Sequence, residues 1–172
     1  MPGIEFDFNE QSANLEPAVR MIFQTYTDIM PYPHKFNDAL IKAHLTGLDF
    51  AVKHNLWKEK AEHEAYILGP ILEMICEWTK EQGPNKGLWG MYEANSCNYQ
   101  LFEKIEVKDG ERSFPCPYKE ILEISETLGT FTITWEDVHE KWCKPLWNAF
   151  AKKIGIEIEV IPGETCCVKI KK

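Results

Sequence analysis

The chain has 172 residues, 44% hydrophobic and 27% charged, with a formal net charge of −8. Six Trp, six Tyr and nine Phe exclude a disordered chain, and the acidic balance repels a phosphate backbone, which excludes non-specific nucleic-acid binding. No window holds the roughly 18 uncharged apolar residues that a bilayer span requires.

The opening Met1-Pro2-Gly3-Ile4-Glu5 lacks the basic and apolar pattern of a secretion signal. The expected location is therefore the cytoplasm, where the six cysteines stay reduced. The predicted organisation is one α+β domain over 1–172. It comprises a loose segment at 1–13, a helical part at 14–87, and an α+β part at 88–172 that carries the site.

In chain order, the first predicted helix covers 15–30, with Ala18, Met21, Ile22, Tyr26 and Ile29 at helical spacing. Asn14 can cap it, and Pro31 and Pro33 stop it. A second helix is predicted over 36–55 and a third over 58–80. Pro70 imposes a kink at 66–69 or splits the element there. Residues 82–87, Gln-Gly-Pro-Asn-Lys-Gly, read as a loop.

From residue 98 the pattern turns to β. Residues 98–107 alternate partially, Asp109-Gly110 marks a hairpin, and the return strand ends near Phe114. A short helix follows over 118–128 and stops at Gly129. Residues 130–134 read as extended. Thr134 and Asp137 form a capping-box pattern that opens a long helix over 135–154, interrupted at Pro145 and stopped by Gly155. Ile156-Glu157-Ile158-Glu159-Val160 alternates as a strand, and Cys166 to Ile170 returns after Pro162-Gly163. Helices followed by hairpins predict N-terminal helices packed with a C-terminal antiparallel sheet and one long helix.

Cys116 is the first candidate for chemistry. Pro117 suits a first helical position, which would make Cys116 the N-cap, where unpaired N–H groups favour a thiolate. The bland alternative is an inert cysteine packed at a helix start. His139 and Cys143 are four apart on one predicted helix face, the spacing of a base with a thiol or of two metal ligands. Trp135 and Trp142 lie near the same face, as pocket wall or as core. Of Cys166 and Cys167, one faces inward and one outward; no CxxC pair exists. The metal candidates are Cys116, His139, Cys143 and Cys167, for a divalent ion. Tyr92, Asn95 and Asn98 are candidate substrate contacts. Asp137 is explained by capping, and Glu62-His63-Glu64 lacks the second histidine of a metalloprotease helix. Phosphate-binding loops and the α/β-hydrolase elbow are absent from the sequence.

Residues 131–143, Phe-Thr-Ile-Thr-Trp-Glu-Asp-Val-His-Glu-Lys-Trp-Cys, together with Cys116-Pro117-Tyr118, resemble the L-2-amino-thiazoline-4-carboxylic acid hydrolase family. The likeness covers 88–170 best. It implies hydrolysis of a small cyclic amino acid, with opening of a C–N bond. The helix end at 151–155, the strand at 156–160 and Glu164-Thr165-Cys166-Cys167-Val168-Lys169-Ile170 also resemble the 4-vinyl-reductase-like small-molecule-binding domains. That likeness implies a helical and antiparallel fold that holds a ligand and often forms a homodimer. In those domains the acidic-threonine-cysteine element stands further from a later cysteine than it does here.

Two readings follow. One is a hydrolase in which Cys116 adds to a ring carbon and His139 moves the proton. The alternative is a non-catalytic sensory module that binds a small molecule, a metal or haem. The expected partner is a small molecule, with neither nucleic acid nor membrane.

Overall fold

Proline and glycine set most of the helix borders. The computed structural model describes residues 17–20, 22 and 37–171. The chain divides into two compact units, residues 1–38 and 39–172. In the first, residues 17–20 and 22 are helical and exposed. The rest of the helix predicted at 15–30, and the segment 1–13, lie outside the described residues.

The second unit follows from α1 (Asp38–Lys53), whose Ile41, Leu45, Leu48 and Ala51 are buried at helical spacing. The helix predicted at 58–80 is two helices, α2 (Trp57–Ile67) and α3 (Gly69–Gln82). Pro70 occupies the first turn of α3, where its missing N–H costs nothing. The loop predicted at 82–87 is corrected. Gly83, at φ 88, turns the chain, and Pro84 opens α4 (Pro84–Tyr92). The close approach of α3 and α4 requires glycine, since a Cβ on Gly90 would lie 2.6 Å from Ile75 Cγ2.

The strand predicted from residue 98 is also corrected. Residues Ser96–Phe102 form α5, capped by Asn95, whose side chain accepts from the Cys97 N–H. Its buried residues, Asn98, Leu101 and Phe102, stand at i, i+3 and i+4. That helical spacing outweighs the β-prone composition. Strand β1 is only Glu106–Lys108; it turns through Asp109-Gly110 into β2 (Glu111–Pro115), as the Asp-Gly signal predicts.

Helix α6 (Lys119–Leu128) ends at Gly129 in the left-handed conformation. Residues 130–134 form no regular element. The Asp49 carboxylate on α1 accepts from the Thr132 N–H at 2.9 Å and the Thr132 hydroxyl at 2.6 Å, and so fixes this segment.

The long helix starts with the predicted capping box at Thr134 and Asp137, as α7 (Trp135–Val138). It then widens into one π turn, His139–Cys143, where the Lys144 N–H reaches the His139 carbonyl, and continues as α8 (Lys144–Ile154). Pro145 lies in the first turn of α8, so the wide turn accommodates its missing donor. Strands β3 (Ile158–Ile161) and β4 (Thr165–Ile170) complete a four-stranded antiparallel sheet of order β1-β2-β4-β3.

Helices with a C-terminal antiparallel sheet make the α+β architecture that the pattern predicts. Helix α8 packs on α2, α3 and β3. Between helices and sheet, Phe102 stacks on Phe114 at 3.9 Å, and Tyr92 contacts Phe114 and Trp147. Arg112 and Glu93 form a buried ion pair at 2.8 Å that ties β2 to the end of α4. Among the described residues no helix is long and apolar enough to cross a membrane.

Candidate functional site

The end of β2, the start of β4 and the π turn meet at one point. In the sheet register Phe114 pairs with Cys166 and Pro115 with Thr165. Cys116 continues this edge, its N–H donating to the Glu164 carbonyl at 2.8 Å. His139, at the first position of the π turn, places Nε2 3.7 Å from Cys116 Sγ. Cys166 completes the group: the sulfurs of Cys116 and Cys166 and a nitrogen of His139 all lie within 4.8 Å of one another.

The expected N-cap role of Cys116 is corrected, because Tyr118 caps α6. Its thiol is nevertheless held well below the ordinary range, by different donors. These are first the Cys166 thiol, then His139, the Trp135 indole N–H at 3.2 Å, and the Tyr118 backbone N–H. Burial opposes them and loses. Cys166 moves the opposite way: its hydrogen bond to the Cys116 thiolate holds it protonated, and burial adds to this. Its one proton also has the Gly163 carbonyl in reach at 3.5 Å. The shared hydrogen bond thus moves the two thiols in opposite directions, Cys116 down and Cys166 up.

The His139 side chain is 3% exposed. Trp135 meets the ring edge-on at 4.7 Å. Nδ1 is buried with no hydrogen-bond partner among the described residues. A histidine serving only the core would normally have both nitrogens paired.

His139 and Cys166 line a cavity of about 330 Å³, a volume in the small-molecule range. Cys116 is half-buried and is not part of the lining, whereas Pro117 and Tyr118, which follow it, are. The walls are mainly apolar and aromatic, with Phe102, Phe114, Trp142 and Trp147 among them. Among the described residues no lysine or arginine lines the cavity; its ionisable lining includes Glu64 and three histidines.

The remaining sequence candidates distribute as follows. Cys143 lines the cavity but is not part of the three-residue group, and desolvation, then the Cys116 charge, pushes its thiol up. It is held as a neutral thiol, unsuited to nucleophilic attack. Cys167 is corrected as a site residue: it pairs with Ser113 in the register, and its neighbour Cys166 takes the inward position. Tyr92 is fully buried in the aromatic core and does not line the cavity. Asn98 lines it, but its amide donates to the Met91 and Tyr92 carbonyls and closes the end of α4. Asn95 reaches the lining while capping α5. Trp135 holds Cys116, and Trp142 lines the cavity while donating to Glu64 at 2.7 Å.

Sequence reasoning passed over His44 on α1 and Glu64 on α2. Glu64 lines the cavity and pairs with Lys60 as well as Trp142. His63 lies on the cavity lining too, although exposed. His44 bonds the Tyr118 hydroxyl at 3.1 Å, and burial, then Lys60, holds its imidazole below the ordinary range. The four-residue spacing from Lys60 to Glu64 was the available signal.

Comparison with protein-family models, with curated proteins and with solved structures finds no match to this chain.

Proposed function

We propose that the chain is a small-molecule hydrolase that opens a cyclic amidine-like ring, with Cys116 as nucleophile and His139 as proton carrier. One observation carries this reading: the Cys116 thiol stands 3.7 Å from a nitrogen of His139, an imidazole that lines a small-molecule cavity. The resemblance of 131–143 and of Cys116-Pro117-Tyr118 to the amino-thiazoline carboxylate hydrolases supports the substrate class.

The chemistry balances as follows. Cys116 Sγ adds to the electron-poor ring carbon, and the C=N π electrons move to the ring nitrogen, which takes a proton from the His139 imidazolium. The C–N bond then breaks, the exocyclic amino group giving the leaving nitrogen its second proton. Water attacks the same carbon. One of its protons goes to the new imine nitrogen and the other to His139, and the C–Sγ bond breaks to release the thiolate. The net change is one water added across the C–N bond.

With Glu64 and histidines but no lysine or arginine on its lining, the cavity suits the amidine end of such a substrate better than a carboxylate. Ring opening of amino-thiazolines, followed by mass spectrometry, tests the reading. Cys116→Ser and His139→Ala each lower kcat by about 100-fold or more while the fold is kept. Full turnover in Cys116→Ser rejects the nucleophile.

A second reading has its own support. Cys116 is not on the cavity lining, while His139 beside it is, an arrangement that suits a binding module whose thiol senses what the cavity holds. Tight binding of a cyclic amidine without turnover, unchanged in Cys116→Ser, selects that reading.

A further inference from the structure

We infer that Cys116, His139 and Cys166 form a binding site for a thiophilic divalent ion of the zinc class. This goes beyond the hydrolase reading and does not depend on it: a bound ion would occupy Cys116 Sγ and His139 Nε2, so nucleophilic attack by Cys116 belongs to the metal-free chain alone. Three ligand atoms of the right kind, two sulfurs and an imidazole nitrogen, already lie within 4.8 Å of one another. A tetrahedral ion with bonds of about 2.0–2.3 Å separates its ligands by less than about 4 Å. The 3.7 Å between Cys116 Sγ and His139 Nε2 meets that span without rearrangement.

The ligands come from three separate elements: the end of β2, the π turn and β4. No local turn accounts for their meeting. Two thiolates would neutralise a divalent charge, which suits a position where His139 is 3% and Cys166 7% exposed. The Trp135 N–H on Cys116 Sγ and the Glu164 carbonyl on the Cys116 N–H already fix the first ligand in place. Three protein ligands leave one position of a tetrahedron, and the cavity lined by His139 and Cys166 is the side from which an exogenous ligand reaches it. Thiolate and imidazole donors without a carboxylate select zinc-class ions over magnesium or calcium.

The test is a Co²⁺ titration of the reduced, chelator-treated full chain, followed by displacement with Zn²⁺. The expected result is a thiolate-to-cobalt charge-transfer band with tetrahedral visible bands, saturating at one ion per chain and bleached by Zn²⁺. Cys116→Ser and Cys166→Ser each reduce the charge-transfer band by about half or abolish it, whereas Cys143→Ser and Cys167→Ser leave it intact. Circular dichroism confirms that each variant is folded. X-ray absorption of the zinc-loaded wild-type chain needs no variant and is expected to show two sulfurs and one imidazole nitrogen. Zinc also protects Cys116 and Cys166, and no other cysteine, from iodoacetamide. Absent bands, a shell of oxygen and nitrogen only, or a signal lost in Cys143→Ser but kept in Cys166→Ser overturns the site. All these readouts are independent of turnover, so a failed hydrolase assay leaves the metal result standing, and the reverse holds.

Discussion

At the scale of single residues, the chemistry depends on a contrast between cysteines that look alike in sequence. Cys116 receives hydrogen bonds from a thiol, an imidazole, an indole and a backbone N–H, and is held as thiolate. Cys143, some 27 residues on, faces desolvation and the Cys116 charge and stays protonated. Because the Cys116 value is lowered, its thiolate persists as pH falls, while ordinary thiols near pKa 8.5 are under about 1% ionised at about pH 6. Iodoacetamide labelling at about pH 6, read by peptide mass spectrometry, is therefore expected to modify Cys116 first. Replacing its largest donor, as in Cys166→Ala, raises the pH at which that labelling appears. Equal labelling of exposed Cys97 and Cys116 at that pH contradicts the assignment.

Tyr92 gives a second residue-scale prediction. Among the described residues its buried hydroxyl has no hydrogen-bond partner, so Tyr92→Phe removes an uncompensated desolvation cost and keeps the ring contacts. Chemical denaturation should show unchanged stability or a gain of about 1 kcal/mol. A loss above about 2 kcal/mol would reveal a partner for that hydroxyl.

At the scale of elements, the junctions position the site. The extended run 130–134 leads directly into α7 and the π turn that carries His139, and Asp49 on α1 holds it through Thr132. Burial pushes the Asp49 carboxyl up, but hydrogen bonds from Lys53 and Thr132 outweigh it and hold the group below its usual range. The contribution is full above the unfolded carboxyl pKa of about 3.9 and is lost as pH falls through the lower folded value. Asp49→Ala is expected to cost about 1–3 kcal/mol at neutral pH and to flatten the stability profile below about pH 4. An unchanged acid limb in that variant contradicts the role.

The elements also show where sequence was legible. Asp109-Gly110, the Thr134–Asp137 box, Gly129 and Gly155 are local signals whose chemistry needs no tertiary partner, and each appears as read. Helix α5 did not announce itself, because Tyr99 and Phe102 are β-prone and the helical spacing emerges only once Asn98 is known to be buried. Helix α4 was obscured by Gly83 and Pro84, which read as a loop but serve as a stop and a start.

At the scale of the second unit, the site is a product of long-range register. Cys116 and His139 were each visible as candidates, but their meeting depends on how β2, β4 and the π turn converge. The choice of Cys166 over Cys167 was not legible. Alternation says that neighbouring cysteines face opposite ways, and only the pairing of Phe114 with Cys166 shows which one turns inward. Glu64 was hidden for the same reason, since α2 reaches the cavity through its packing on α8.

The central claim is that a bond forms between Cys116 Sγ and a ring carbon during turnover. Acid-quenching the wild-type chain while it opens an amino-thiazoline, then digesting it and measuring peptide masses, tests this directly. The account predicts a substrate-derived adduct on the peptide containing Cys116, absent from Cys116→Ser and decaying as substrate is exhausted. Steady turnover with no adduct at Cys116, and an undiminished rate in Cys116→Ser, would contradict it.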